Sequence, residues 1–292
     1  MNITSPLVSV VIPCYNHEQF VQDSIQSVID QTYENIELII IDDGSTDNSV
    51  SKIQEMVVIC EQRFVNFEFR SRLNVGLSAT LNESLEWCRG KYYSAIASDD
   101  EMLNEKTTIQ VSFLEKNLDC VAVFGGVKII NNNKEIINEQ LNRDKQYSFK
   151  EIIMHEHDLP APTQMIRLIA VKKVGGYDAR LYIEDWYMWL KLTERGNIFY
   201  ISEVFALYRQ HDNNISHNLT KMHQGRFEVI ECFRGYPSYK KAIKNVKWLN
   251  AQDKLIISKN PIYFLKLFKI NPKKVTVKSY ENCKKRLIKL FN

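Results

Sequence analysis

The sequence predicts an α/β protein: a mostly parallel sheet flanked by helices, followed by a helical, basic C-terminal region. Three observations carry this. Short apolar, β-branched runs alternate with amphipathic stretches through the first 130 or so positions. The apolar runs end in polar, turn-forming groups: Pro13-Cys14-Tyr15-Asn16, Asp42-Asp43-Gly44-Ser45 and Ser98-Asp99-Asp100. Charge is also divided unevenly. Residues 240–292 hold 15 Lys and Arg against 2 Asp and Glu, while the rest holds 23 against 33. An acidic body with a basic tail points to an anionic partner for the tail.

Each element has its own signal. Residues 7–12 are a β-branched run closed by Pro13, which reads as a buried strand. Over 18–30, Phe20, Val21, Ser24, Ile25, Val28 and Ile29 share one helical face. The second strand is 36–41, and a turn at 43–47 leads into a helix reaching about Cys60, with Ser45 or Thr46 as its cap. Strands at 65–70 and 91–97 bracket a helix at 77–88. A helix at 105–116 precedes two strands, 120–124 and 127–130. Farther on, 147–155 reads as a helix and 163–168 as a strand returning to the sheet. Residues 185–195 read as a helix, and 199–209 as extended. The expected division is a sheet domain over 1–217 and a helical extension over 218–292. Two stretches of that extension, 262–269 and 283–291, are apolar with basic punctuation. Such helices suit an anionic membrane surface or docking on the acidic body.

Several classes are excluded. No run of 18 apolar residues exists, so no spanning helix is expected. Residues 1–13 lack a basic leader, so a cytoplasmic location is expected. Six cysteines without C-x-x-C spacing read as reduced thiols, not a zinc site. No G-x-G-x-x-G follows the first strand, which disfavours a dinucleotide cofactor. Nucleic acid is disfavoured too, because aromatic stacking platforms are absent.

Two aspartate pairs carry the chemistry. Asp42-Asp43 and Asp99-Asp100 close two apolar strands, and in open α/β sheets ligands bind outside those strand ends. A carboxylate beside a phosphate is repelled unless a divalent cation lies between them. The pattern therefore suits a metal-bridged nucleotide. Asp42-Asp43-Gly44-Ser45 also reads as a plain turn with helix caps, and Glu184-Asp185 as an acid-enriched helix start. The pair His155 and His157 has the spacing of a metal-binding H-x-H, but with no third ligand evident it reads rather as a solvated loop.

Taken together with Asn74-Val75-Gly76, Gly175-Gly176-Tyr177, Glu184-Asp185 and Tyr208-Arg209-Gln210-His211, these motifs resemble family 2 glycosyltransferases of the GT-A (Rossmann-like) fold, over about residues 6 to 216. The resemblance implies that Pro13, Tyr15 and Asn16 line a nucleotide pocket. It implies that Asp42 contacts the base with Asp43 beside it, and that Asn74 and Gly76 shape the loop near the ribose. Asp99 matches the metal-binding aspartate of the family's D-x-D motif, with Ser98 before it and Asp100 as its companion. Ala97 stands where the family has its first aspartate. His211 matches a late histidine that binds metal or diphosphate. Glu184-Asp185 matches the family's acid pair, with Asp185 favoured as general base and Glu184 as alternate. The cofactor implied is Mn2+ or Mg2+. The activity implied is inverting transfer from a UDP-sugar to a glycan or polyprenyl-diphosphate-linked acceptor, as in O-antigen or capsule synthesis at the inner membrane face. Two other readings stand beside it: a non-catalytic carbohydrate-binding module of the same fold, and a sugar nucleotidyltransferase.

Overall fold

The computed structural model describes residues 5–211, 218–257, 262–272 and 275. The basic stretch expected at 283–291 lies outside the described residues. In chain order the first elements are β1 (Val8–Cys14), α1 (Val21–Ile29), β2 (Ile36–Asp42), α2 (Ser49–Gln54), α3 (Val57–Arg63) and β3 (Asn66–Ser71). Next come α4 (Leu77–Trp87), β4 (Tyr92–Ala95), β5 (Glu101–Met102), α5 (Lys106–Lys116), β6 (Cys120–Ile130), β7 (Ile136–Gln140) and β8 (Lys145–Tyr147). Then follow α6 (Phe149–Ile153), β9 (Met165–Arg167), α7 (Leu168–Lys173), α8 (Glu184–Leu192) and β10 (Asn197–Arg209). The last described elements are α9 (Leu219–Glu231), α10 (Tyr239–Ile257) and α11 (Ile262–Ile270).

All the strands join one sheet, in the order β3-β2-β1-β4-β9-β6-β10-β5, with β7 on β6 and β8 on β10. The pairs β1–β2, β1–β4, β2–β3 and β6–β10 are parallel. The short β9 runs antiparallel between β4 and β6, so the returning strand expected near 163–168 is the hinge between the two parallel parts. Every residue of β2 is buried, as a parallel strand covered on both faces should be. Val21, Ile25 and Val28 of α1 pack onto β1 and β2 through Val10, Ile12, Leu38 and Ile40.

Two expectations change. The helix foreseen up to about Cys60 is two short helices, α2 and α3, broken between Gln54 and Val57. The strands foreseen at 120–124 and 127–130 are one strand, β6, running straight through Gly125-Gly126. These glycines mark close approach rather than a turn. A Cβ on Gly125 would lie 2.4 Å from the Phe205 ring, and one on Gly126 would lie 2.7 Å from the Gln140 carbonyl.

The chain divides into two compact units, one of residues 1–152, 157–180 and 184–214, the other of 153–156, 181–183 and 215–292. In the second, Trp248, Ala251, Leu255 and Leu267 form a small core between α10 and α11. Arg226 of α9 reaches Asp253 at 2.6 Å and Asn250 at 2.9 Å on α10. His155 does not sit in a solvated loop. Burial, with the charge of Arg226, pushes it down to about 4.

Candidate active site

The strand order 3-2-1-4 puts a switch point between β1 and β4, because the chain leaves β1 toward one side and returns on the other. Loops at the carboxyl ends of these two strands open a crevice there. The loop after β1 carries Tyr15, Asn16 and His17, and the loop after β4 carries Ser98, Asp99 and Asp100.

The two loops meet through side chains. His17 Nδ1 lies 2.7 Å from the buried Ser98 hydroxyl, and its backbone N–H donates to Ser49 Oγ at 2.9 Å. Asp99 faces two imidazoles: His211 Nε2 is 2.9 Å from its Oδ2, and His17 Nε2 is 3.9 Å away. The three donor atoms lie within 4.8 Å of one another. Phe20 backs both rings, at 5.3 Å from His211 and 6.1 Å from His17. Two imidazole nitrogens and a carboxylate make a donor set that suits a divalent cation. Burial works against charge on Asp99, but the His211 hydrogen bond and the two facing imidazoles hold its carboxyl below the usual range. Burial lowers His17, with Asp99 opposing.

Asp100 has a different task. Burial and the charge of Asp99 push it well above the ordinary carboxylate value. Its Oδ1 accepts the Arg209 N–H at 2.9 Å. The fully buried Arg209 donates to the Asp99 carbonyl at 2.9 Å and to Glu101 at 2.7 Å, and lies over the Phe20 ring at 4.7 Å. A buried cation with this many partners fixes the turn that presents Asp99. Ala97 is exposed, beside three buried neighbours.

The nucleotide-side residues split into two groups. Asn16 adopts φ +54°, accepts the Thr46 N–H at 2.8 Å on its side-chain oxygen and donates its own backbone N–H to Ser45 Oγ at 2.8 Å. It thereby ties the β1 loop to the β2 loop, with Tyr15 about half exposed beside it. Pro13 sits inside β1. Asp42 is fully buried, with Oδ2 taken by Ser71 Oγ at 2.9 Å and the Ser45 N–H at 3.2 Å. Among the described residues its Oδ1 has no hydrogen-bond partner. Asp43 accepts from the N–H groups of Val75 (2.8 Å) and Gly76 (2.9 Å) and from Arg72. It thus braces the 72–76 loop that holds exposed Asn74 and the left-handed Gly76.

Glu184 and Asp185 open α8 and are half-buried. Burial, then the charge of Asp185, raises Glu184 to about 8; burial raises Asp185 as well, against a 2.6 Å hydrogen bond from the Trp186 N–H. The charge of Glu184 reaches the hydroxyls of Tyr177 and of Tyr93 on β4, which lie 3.3 Å apart, and that of Asp185 reaches Tyr177. Asn82 of α4 anchors this corner by two 2.8 Å bonds to the Tyr177 backbone. Among the described residues, no hydrogen bond or ion pair joins the acid pair to Asp99. Trp186 is core: it is buried and donates to the Ile152 carbonyl at 2.8 Å.

His17, Arg72 and Arg209 went unassigned in the sequence. His17 had one usable signal, its place three residues past the end of a strand at the ligand-bearing edge. The four described buried cysteines are free thiols, as expected; burial pushes Cys14, next to Ser98, up to about 11.

Fold and edge site together define a GT-A α/β protein. The chain belongs to glycosyltransferase family 2: the family model described as Glycosyl transferase family 2 matches residues 9–175. An uncharacterized glycosyltransferase of Rickettsia typhi is 29% identical over 72% of this chain, which spans only 66% of that relative's length. The chain is 28% identical to the Escherichia coli UDP-Glc:alpha-D-GlcNAc-diphosphoundecaprenol beta-1,3-glucosyltransferase WfgD, over 78% of this chain and 86% of WfgD. The fold is similar to that of residues 1–349 of S. aureus TarS, solved with UDP-GlcNAc, at a TM-score of 0.65 and 15% identity, covering 96% of this chain and 79% of TarS 1–349.

Proposed function

We propose that this protein is an inverting glycosyltransferase that moves a sugar from a UDP-sugar to a hydroxyl of a lipid-linked glycan in bacterial surface-polysaccharide synthesis. The observation that carries this reading is the raised acid pair, Glu184 and Asp185, at the start of α8, in the same compact unit as the sheet whose carboxyl edge presents the Asp99 cluster. Adjacent like charges resist double ionisation, so the pair holds one proton near neutral pH. Asp185, the general base, takes the acceptor hydroxyl's proton while Glu184 stays protonated. The acceptor oxygen bonds to the anomeric carbon as the carbon–phosphate-oxygen bond breaks, UDP leaves with the electron pair, and one displacement inverts the configuration. A raised carboxylate is a better base than an ordinary one near pH 7.

The nucleotide lies along Pro13, Tyr15, Asn16, Asp42, Asp43, Asn74, Gly76 and Ser98, with Asp100 fixing the turn. Asp99 and His211 would hold Mn2+ or Mg2+, which when bound neutralises the leaving diphosphate. The UDP-GlcNAc bound to TarS and the UDP-glucose donor and diphosphoundecaprenol acceptor named for WfgD support the choice of donor and acceptor classes. No described helix is long and apolar enough to cross a membrane. Exposed Leu265 and Phe268 on the basic α11 support peripheral contact with the inner membrane face.

UDP release from a panel of UDP-sugars with a divalent ion tests the reading. Asp99→Ala and Asp185→Asn, each confirmed as folded, should turn over about 10²–10⁴-fold more slowly than wild type. Equal rates in all three proteins would overturn the proposal.

A further inference from the structure

We propose that His17 is a third protein ligand of the cation site, and that His17, Asp99 and His211 together select a Mn2+-class ion over Mg2+. This rests on the metal-dependent reading above and deepens it by one residue and one selectivity.

Three restraints from different elements place the His17 ring. Its backbone N–H is held by Ser49 at the start of α2, its Nδ1 by Ser98, and its edge by Phe20 ahead of α1. A histidine that binds metal through one nitrogen usually has the other nitrogen hydrogen-bonded, which sets tautomer and ring angle. Ser98 does this for Nδ1 and leaves Nε2 facing Asp99 Oδ2 at 3.9 Å. Ser98 also precedes Asp99 directly, so one buried turn after β4 orients two of the three donors. The obvious rival ligand is Asp100, but its Oδ1 is committed to the Arg209 N–H. The ring contact of His17 with His211, at 5.7 Å and 85°, keeps the two imidazoles from stacking over one another.

The donor chemistry then sets the preference. Mg2+ favours oxygen ligands in near-ideal octahedral geometry and keeps much of its water. Imidazole suits first-row transition ions better than Mg2+, and Mn2+, which among them also favours oxygen, accepts the carboxylate, diphosphate and water oxygens of such a site. Two imidazoles on one face with a single carboxylate leave the remaining positions for diphosphate oxygens and water.

The full-length chain, stripped of metal, is titrated with Mn2+ and followed by the EPR signal of the free ion, with and without UDP. Wild type should bind Mn2+ and resist displacement by equimolar Mg2+. His17→Ala and His17→Gln, both checked for an unchanged melting curve, should bind Mn2+ at least about tenfold more weakly. Pulsed EPR of bound Mn2+ should show nitrogen coupling from two imidazoles in wild type and one in His17→Ala. Wild-type Mn2+ affinity in folded His17→Ala, Mg2+ competing on equal terms, or no Mn2+ binding by wild type would each overturn the inference. Asp99→Ala separates the two levels. If it abolishes both Mn2+ binding and UDP release while His17→Ala changes neither, His17 is no ligand and the transferase reading stands. If wild type releases UDP without any cation, the metal-dependent reading itself falls.

Discussion

Asp99 keeps its charge although nearly buried, because the His211 hydrogen bond and the two imidazoles that face it outweigh burial. Glu184 shows the opposite balance. Burial and Asp185 raise it to about 8, above its unfolded value. The folded state therefore binds the proton more tightly, and stability falls as pH rises from about 4.5 through about 8. Replacing Glu184 with Gln removes that loss: the variant should melt higher than wild type near pH 9, and the gain should shrink toward about pH 5. Thermal melts across that range check it. Lys106 is fully buried, donates to Ser94 Oγ at 2.7 Å and to the Gln164 carbonyl at 3.1 Å, and burial pushes it down to about 7. Its folded value lies below its unfolded one, so the unfolded chain binds more protons between about pH 7 and 10. Wild-type stability relative to Lys106→Met should accordingly rise across that window. A difference independent of pH would show that folding leaves the Lys106 ammonium charged in both states across that window.

At the scale of elements, the β2 and β3 loops are bound together by backbone proximity. Gly44 has φ +75°, and a Cβ there would lie 2.6 Å from the Asn74 N and 3.0 Å from the Arg72 carbonyl oxygen. Gly175 has φ +89° but nothing within 4 Å of its Cβ position. Ala at Gly175 incurs only the left-handed backbone strain, about 1–2 kcal/mol. Ala at Gly44 incurs that strain plus a backbone clash, so it should be the more destabilising in denaturant melts and should also weaken UDP binding. Equal effects of the two would mean that the 72–74 segment moves aside without cost. The strands themselves were readable: β2, with Leu38 to Ile41 an unbroken apolar run, read as a covered parallel strand. Gly125-Gly126 misled because a glycine pair signals a turn in one dimension and close packing in three. The break between α2 and α3 had no composition signal, since residues 55–57 include neither Gly nor Pro.

Over the whole molecule, charge separates along the chain, 33 acidic and 23 basic residues before position 240 and 15 basic against 2 acidic from 240 onward. The protein should bind vesicles containing anionic lipid, fail to bind neutral ones, and be released by salt as screening shortens the Debye length. Sedimentation with vesicles measures this, and equal binding to neutral vesicles would rule out the electrostatic account. That division of charge, the α/β alternation and the positions of Asp42, Asp99 and Glu184-Asp185 at element ends were legible residue by residue, because periodicity and strand termini are local properties. The Asp99 cluster was only partly so. His17 and Asp99 are 82 positions apart and Asp99 and His211 are 112 apart, so folding alone brings them within 4.8 Å. Nor could spacing reveal that Asp42 would be buried, or that Arg209 would sit wholly inside beneath the Asp99 turn. Strand order and packing across the sheet decide those, and they depend on contacts between segments that carry no mark of one another in the chain.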